Sequence, residues 1–227
     1  MHRQSNRATF DQMILPGRSF PLGVEVVGGG VNFSVFSKEA EKVELLLFEG
    51  IDAERPSRII ELDRHAHRTW QYWHALVPGL GAGQVYGYRA QGPFVPAKGL
   101  RFDGEKLLVD PYARCIAAPS RRSRLAACRP GDNTAAAYRC VVADPRVYDW
   151  EDDSPPRTPY HETVIYEMHV GHFTRHPSSG VAPARRGTYA GVMAKIPYLV
   201  DLGVSAVELL PVFAVDEQAA PTGGHNV

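Results

Sequence analysis

Cysteine is scarce in this sequence. Only three occur in 227 residues, at Cys115, Cys128 and Cys140. An odd number at wide spacing argues against a disulfide framework and against a cysteine-based zinc site. We therefore expect three free thiols. We also predict no metal and no other cofactor.

An excess of charge of one sign is also missing. The 25 lysines and arginines balance the 25 aspartates and glutamates, so the formal net charge at pH 7 is +0. Without a basic surplus the chain lacks the electrostatic field that attracts nucleic acid. We predict no nucleic-acid partner, whereas a neutral polyhydroxylated ligand is compatible with this balance.

Long apolar runs are absent as well. The first ten residues lack the apolar core of a secretory signal, and no later run is long enough to cross a bilayer. The sequence therefore predicts a cytoplasmic protein without a membrane partner.

The apolar residues that are present follow two different patterns, and the first is a strand pattern. Val31, Phe33 and Val35 alternate with polar residues, and residues 86–90 do the same. Such alternation is typical of strands with one buried face. Two further strands are expected at residues 43–48 and 70–77. A hairpin turn is expected at residues 28–30, and a second turn at 79–83 should bring the strand 73–77 back toward residues 85–86. The first half is predicted to be an antiparallel sandwich.

The second pattern, in the last third of the chain, predicts a β-α-β unit. Residues 163–170 and 204–212 are nearly continuous apolar runs, which are typical of parallel strands covered on both faces. Residues 189–200 carry apolar side chains at helical spacing between them. Pro197 predicts a kink or a fresh helical start, and Gly203 stands where a helix C-terminus prefers glycine. This periodicity fits an open α/β sheet as well as a barrel.

A set of motifs in fixed order makes the interpretation more specific. They occupy residues 21–23, 30–37, 43–48, 86–89, 106–113, 149–150, 164–181, 186–191, 195–199, 201–203 and 207–212. Together they resemble the isoamylase and glycogen-debranching branch of the alpha-amylase superfamily. The resemblance implies a multi-domain β plus α/β protein, with an N-terminal antiparallel β-sandwich of immunoglobulin-like, carbohydrate-binding-module type. The first β-α-β of an incomplete TIM barrel would follow.

The resemblance also implies a domain division. We expect a tail over residues 1–16, the sandwich over 17–118, a connector over 119–159, and the truncated start of the (β/α)8 barrel over 160–227. The sandwich is expected to fold alone. The barrel start, with unpaired strand edges, is expected to be mobile or prone to aggregation.

The implied activity is hydrolysis of α-1,6-glucosidic branch linkages with retention, on glycogen, amylopectin or limit dextrin. Two positions depart from the family pattern. His172 replaces a glycine, and Val227 follows Asn226 where relatives continue with Tyr-Trp-Gly-Tyr. By resemblance the catalytic nucleophile and acid lie beyond Val227. No catalytic residue is therefore assigned in this chain, and the chain alone is expected to be inactive.

Three alternatives stay open. A maltooligosyl-trehalose trehalohydrolase and a branching enzyme belong to the same superfamily, although residues 176–180 and 186–191 favour the isoamylase type. The third alternative is a non-catalytic glucan-binding module.

The candidate ligand-binding residues are Trp70, Tyr72 and Trp73, because the apolar face of a glucose ring can stack on an exposed aromatic side chain. The competing interpretation is that these rings belong to the core. The candidate metal ligands are the four histidines His161, His169, His172 and His176, of which the last two are expected in a loop. No regular face gathers them, so we predict no metal site. Glu167 and Glu208 match structural family positions and receive no catalytic role.

Overall fold

The computed structural model describes residues 13–214 together with residues 216 and 218. The chain divides into two compact units. The first holds the described residues up to Asp149 together with Gln218, and the second runs from Trp150 to Asp216. Most of the predicted tail, residues 1–12, lies outside the described residues. Within the described part, no helix is long and apolar enough to cross a membrane.

The first unit is an antiparallel sandwich, as the sequence predicts. Its elements are β1 (Gly23–Val27), β2 (Gly30–Phe36), β3 (Lys42–Phe48), β4 (Arg58–Glu61), β5 (Arg68–Thr69), β6 (Tyr72–Pro78), β7 (Val85–Gln91), β8 (Phe94–Val95), β9 (Leu100–Arg101), β10 (Ile116–Ala117), α1 (Arg124–Cys128) and β11 (Arg139–Val141). One sheet has the order β1-β2-β6-β5 and the other β10-β11-β7-β3-β4, while β8 and β9 form a separate hairpin. Short 3-10 turns occupy Pro96–Lys98, Thr134–Ala136 and Pro145–Val147.

The core lies between the two sheets and comes from the predicted alternation. Val31 and Phe33 of β2, Leu45 of β3 and Tyr86 of β7 belong to one buried cluster. The rings of Phe33 and Tyr86 meet edge to face, with their centroids 5.2 Å apart. Edge-to-face pairs of this kind add to the stability gained from burial.

Of the two glycine turns, one is confirmed and one is wrong. β1 and β2 are joined through Gly28 and Gly29, because Val27 pairs with Gly30, and Gly29 has a φ of 88°. Residues 79–83 do not close a hairpin, however, since β6 and β7 belong to different sheets. The glycines instead allow the chain to cross from one sheet to the other. The residue types of a turn do not distinguish a hairpin within one sheet from a crossing between two sheets.

The predicted connector differs from the structure, because part of it belongs to the sandwich. β11 pairs with β7 through Cys140 and Tyr86, and Cys140 and Val142 are buried. The guanidinium of Arg139 is also buried and donates to the carbonyls of Ala137 and Ala53. A strand of three residues offers too short an alternation to be recognised in the sequence.

The second unit is a parallel β-α-β unit, as predicted. Its elements are β12 (Ile165–Met168), α2 (Val170–Arg175), α3 (Tyr189–Ala194), α4 (Ile196–Asp201) and β13 (Ala206–Leu209), with 3-10 turns at Tyr160–Glu162, Pro177–Ser179 and Pro183–Arg185. β12 and β13 pair in parallel, with Ile165 opposite Ala206. Both strands are shorter than the apolar runs that predict them.

The predicted helix start at Pro197 and the predicted helix end at Gly203 are confirmed. A new helix, α4, begins at Ile196 with Pro197 in its first turn, and Gly203 follows its end with a φ of 82°. The segment after β12 was expected to be a loop, and this is wrong, because residues 170–175 form α2. The ring Nδ1 of His169 caps this helix by accepting the backbone N–H of His172 at 3.2 Å.

Candidate functional site

An exposed tryptophan stands at the tip of the β5–β6 hairpin. Thr69 pairs with Tyr72, so Trp70 and Gln71 form the turn. The side chain of Trp70 is 88% exposed and its backbone has a φ of 58°. For a residue other than glycine, this left-handed backbone conformation costs roughly 1–2 kcal/mol. A large apolar ring that is both exposed and held in an unfavourable backbone conformation makes Trp70 a candidate functional residue.

Hydrogen bonds from Arg68 and from the loop that follows β2 stabilise this turn. The Arg68 Nε donates to the carbonyl oxygen of Trp70 at 2.8 Å, and its guanidinium also donates to the Lys38 carbonyl oxygen at 3.1 Å. The backbone N–H of Ser37 donates to the Gln71 carbonyl oxygen at 2.9 Å. The position of the Trp70 backbone is therefore fixed by contacts to the loop that follows β2.

The structure divides the three predicted aromatic residues. Trp73 is fully buried, its ring N–H donates to the Ser37 carbonyl oxygen at 3.2 Å, and the Arg68 guanidinium lies 4.8 Å from its ring centroid. Its inclusion in a stacking surface is therefore corrected, because β6 turns this side chain inward. Tyr72 is partly buried and meets the exposed ring of Phe36 edge to face at 5.5 Å. Trp70 and Tyr72 remain as the predicted stacking residues.

A cleft of about 530 Å³ lies beside the Trp70 ring and is lined by Arg64, His65, Arg68 and Trp70. Sequence analysis did not single out the two arginines and the histidine of this cleft. Arg64 and His65 carry no local pattern, because the β4–β5 loop reaches the hairpin only in the folded sandwich, whereas Arg68 lies in β5 itself.

The loop that carries Arg64 and His65 is well ordered by its own hydrogen bonds. The Asp63 carboxylate accepts the backbone N–H groups of Ala66 and His65, both at 2.8 Å, and these bonds lower the pKa of Asp63. The backbone N–H of Asp63 donates to the Nδ1 of His67 at 3.0 Å. Burial lowers the pKa of His67, so the neutral ring that can accept this bond is favoured.

A second cleft in the same unit has a volume of about 480 Å³ and includes Phe36, Lys38, Glu39, Arg101, Phe102 and Asp103 in its lining. Phe36 therefore borders this cleft and also touches Tyr72. The ring of Phe36 thus lies between this cleft and Tyr72.

The sandwich also contains a buried carboxyl group. The Tyr86 hydroxyl donates to Asp110 Oδ2 at 2.8 Å, and the backbone N–H of Tyr112 donates to Asp110 Oδ1 at 2.8 Å. Burial raises the pKa of Asp110 and also that of Tyr86. This group lies in the core and serves the fold rather than a surface site.

The three cysteines are free thiols, as predicted. Cys115 and Cys128 are exposed, whereas Cys140 is buried, and burial raises the pKa of its thiol to about 12.

The histidines of the second unit are only partly brought together. The rings of His169 and His172 stack with centroids 4.3 Å apart. Across the residues that the structure describes, no three His, Cys, Asp or Glu side chains are grouped so as to hold a metal ion. Glu167 and Glu208 face each other in register and are exposed. They lie within their strands rather than at the carboxyl ends, where barrel active sites form.

The fold defines a class of protein in which an antiparallel β-sandwich precedes an α/β unit. Residues 21–113 match the family model of carbohydrate-binding module 48, described as the isoamylase N-terminal domain. The chain is related to proteins named isoamylase and glycogen debranching enzyme, as its motifs indicate.

Three relatives illustrate this relationship. Isoamylase 3, chloroplastic, from Oryza sativa subsp. japonica is 41% identical over 208 residues, which are 88% of this chain and 26% of the relative. The glycogen debranching enzyme of Serratia proteamaculans is 42% identical over 207 residues, 88% of this chain and 30% of the relative. The glycogen operon protein GlgX homolog of Mycobacterium tuberculosis is 42% identical over 230 residues, with corresponding shares of 94% and 31%. The chain thus spans less than a third of these relatives.

Solved structures share the fold. The catalytic module of the glycogen-degrading pneumococcal virulence factor SpuA matches with a TM-score of 0.65 at 23% identity, over 91% of this chain and 28% of that chain. A pullulanase from Paenibacillus barengoltzii, in complex with maltohexaose and alpha-cyclodextrin, matches with a TM-score of 0.65 at 22% identity, over 93% and 30%. At these identities the likeness shows the fold alone.

Proposed function

We propose that the sandwich binds α-glucan chains, such as those of glycogen, amylopectin or limit dextrin, on the surface formed by Trp70 and Tyr72. The observation that carries this proposal is the Trp70 ring, 88% exposed on a turn that Arg68 holds in place. A flat apolar ring suits the apolar face of a glucose unit. Because the turn is already ordered, binding would lose little conformational entropy there.

The comparisons support this proposal from a second direction. The matching family model is named for carbohydrate binding, and relatives are named for glycogen debranching. The pullulanase with the same fold is described in complex with maltohexaose and alpha-cyclodextrin.

For the whole protein we propose hydrolysis of α-1,6-glucosidic branch linkages in glycogen or starch. A retaining hydrolase needs two carboxyl groups that flank the scissile bond. This chain spans less than a third of relatives named isoamylase or glycogen debranching enzyme, and we assign no such carboxyl pair within it. We therefore propose that the chain alone is inactive. Bacterial relatives named for glycogen debranching favour a cytoplasmic location, whereas the rice relative is named chloroplastic.

The test of glucan binding is retention on a native gel that contains glycogen. The wild-type chain is expected to be retarded, and Trp70→Ala is expected to migrate as it does without glycogen. Phe94→Ala is the matched control, because Phe94 is an exposed aromatic residue on the separate β8–β9 hairpin. Equal retention of the wild type and Trp70→Ala would contradict the proposed surface.

The test of activity is reducing-end release from amylopectin by the same preparation. No release is expected from this chain. Release of linear chains, after contaminating enzyme is excluded, would contradict its proposed inactivity. A chain that binds glycogen without releasing ends is the outcome shared with a non-catalytic glucan-binding module. The two are then separated by assaying a longer protein that includes the part of the relatives that this chain does not match. Only a debranching enzyme would then release reducing ends from amylopectin.

A further inference from the structure

The cleft beside Trp70 has an unusual hydrogen-bonding character. Its side chains are those of Arg64, His65, Arg68 and Trp70. Guanidinium and indole groups only donate hydrogen bonds, and imidazole offers one acceptor at most. The Trp70 carbonyl oxygen already accepts from Arg68. A neutral sugar hydroxyl both donates and accepts, so such a cleft is better matched to a group that only accepts.

The charge of the cleft favours an anion. Among the described residues, neither Arg64 nor Arg68 forms an ion pair, although both guanidinium groups are permanently charged. The nearby Asp63 carboxylate is directed to the N–H groups of its own loop. Glu39 lies 3.5 Å from the Lys38 ammonium and so has a cationic neighbour of its own.

We propose that this cleft recognises phosphate monoester groups carried by an α-glucan. This inference rests on the proposed glucan binding, since a glucosyl ring stacked on Trp70 would place its substituents at the cleft. Arg68 is engaged with two backbone carbonyls. Arg64 and His65 therefore provide the contacts to phosphate, and a guanidinium can bind it through two parallel hydrogen bonds.

A phosphate monoester matches this cleft both in charge and in hydrogen-bonding capacity. It carries a charge of about −1.5 to −2 at pH 7 and presents three acceptor oxygens. The volume of about 530 Å³ is within the range of small-ligand sites. Since the loop from Asp63 to His67 is already ordered by its own hydrogen bonds, Arg64 and His65 are presented without a large entropic cost.

The test compares maltoheptaose with maltoheptaose that carries one 6-phosphate, by calorimetric titration of the full chain at low ionic strength. We expect the phosphorylated chain to bind about fivefold more tightly, the effect of roughly 1 kcal/mol from an exposed ion pair. High salt should remove most of this preference, because exposed charges are screened.

The variant Arg64→Gln/His65→Gln should lose the preference and keep the affinity for unphosphorylated maltoheptaose. Arg55→Gln is the matched control, because Arg55 is an exposed arginine of the same sandwich that does not line the cleft. It should retain the preference.

Four outcomes would overturn the inference. Equal affinity for the two oligosaccharides would refute phosphate recognition while leaving the proposed glucan binding intact. A preference that survives in the double variant would place the phosphate elsewhere. Inorganic phosphate that binds as tightly as the phosphorylated oligosaccharide would indicate a phosphate site unconnected with glucan. If neither oligosaccharide binds, glucan binding itself fails, and the inference fails with it.

Discussion

The two tryptophans of the β5–β6 hairpin should respond in opposite ways to truncation. Trp73 is fully buried, and its ring contacts the Arg68 guanidinium and donates to Ser37. Replacing a buried tryptophan by alanine costs about 3–5 kcal/mol. Trp70 is 88% exposed and buries little area, so Trp70→Ala should change the free energy of unfolding by less than about 0.5 kcal/mol.

This contrast can be measured by urea unfolding followed by circular dichroism. Natural domains are stable by only about 5–15 kcal/mol, so Trp73→Ala should shift the midpoint far down or prevent folding. Trp70→Ala should keep the wild-type midpoint and the wild-type slope. A comparable loss of stability in the two variants would refute the assignment of one ring to the core and the other to the surface. The contrast also makes Trp70→Ala a clean test of binding.

Three further predictions concern buried groups and backbone conformation. Because burial raises the pKa of Asp110, the folded state holds its proton more tightly than the unfolded chain does; its contribution to stability should fall as pH rises above its ordinary pKa of about 3.9. The difference in unfolding free energy between Asp110→Asn and wild type should therefore shift in favour of the variant from pH 4 to pH 7, and a constant difference would contradict this. Gly203→Ala should destabilise the second unit by about 1 kcal/mol, because φ is 82° and an added Cβ meets no other atom, so strain alone acts; faster amide exchange in α4 would show it, and unchanged exchange would argue against it. Iodoacetamide at pH 8 should modify Cys115 and Cys128 in the native chain and spare Cys140, whose thiol is buried with a pKa of about 12; mass spectrometry that finds three adducts without unfolding would disprove this.

Long periodic elements of the fold are readable in the sequence. The alternation of Val31, Phe33 and Val35 predicts β2, and all three residues are buried. Pro197 and Gly203 predict the start and the end of α4 because each acts through its own backbone geometry. These signals are local, and the structure preserves them.

The missed features depend on contacts between distant residues. β11 contains three residues, and it forms because β7 offers an edge on which Cys140 and Val141 can pair. Residues 79–83 have the composition of a hairpin turn, but the destination of the chain after them is set by which sheet β7 joins. Short strands and sheet assignment are therefore decided by tertiary pairing.

The candidate site could be predicted only in part from the sequence. Trp73, Ala75 and Val77 alternate along β6 and are all buried, so the strand period already marks Trp73 as a core residue. Trp70 escapes this rule because it precedes the strand, in a turn without glycine or asparagine. Arg64 reaches the cleft beside Trp70 through a loop whose position depends on the whole sandwich, and no sequence pattern marks it.

The most direct test of the central claim follows the indole N–H signals of the three tryptophans during titration with maltoheptaose. In a ¹H–¹⁵N spectrum of the labelled chain, each tryptophan contributes one such signal, and Trp70→Phe and Trp73→Phe variants assign two of them. If α-glucan stacks on the hairpin, the Trp70 signal shifts with a saturable dependence on maltoheptaose, while the signal of the buried Trp73 moves far less. A Trp70 signal that stays in place while maltoheptaose binds, or the absence of any binding, would contradict the account.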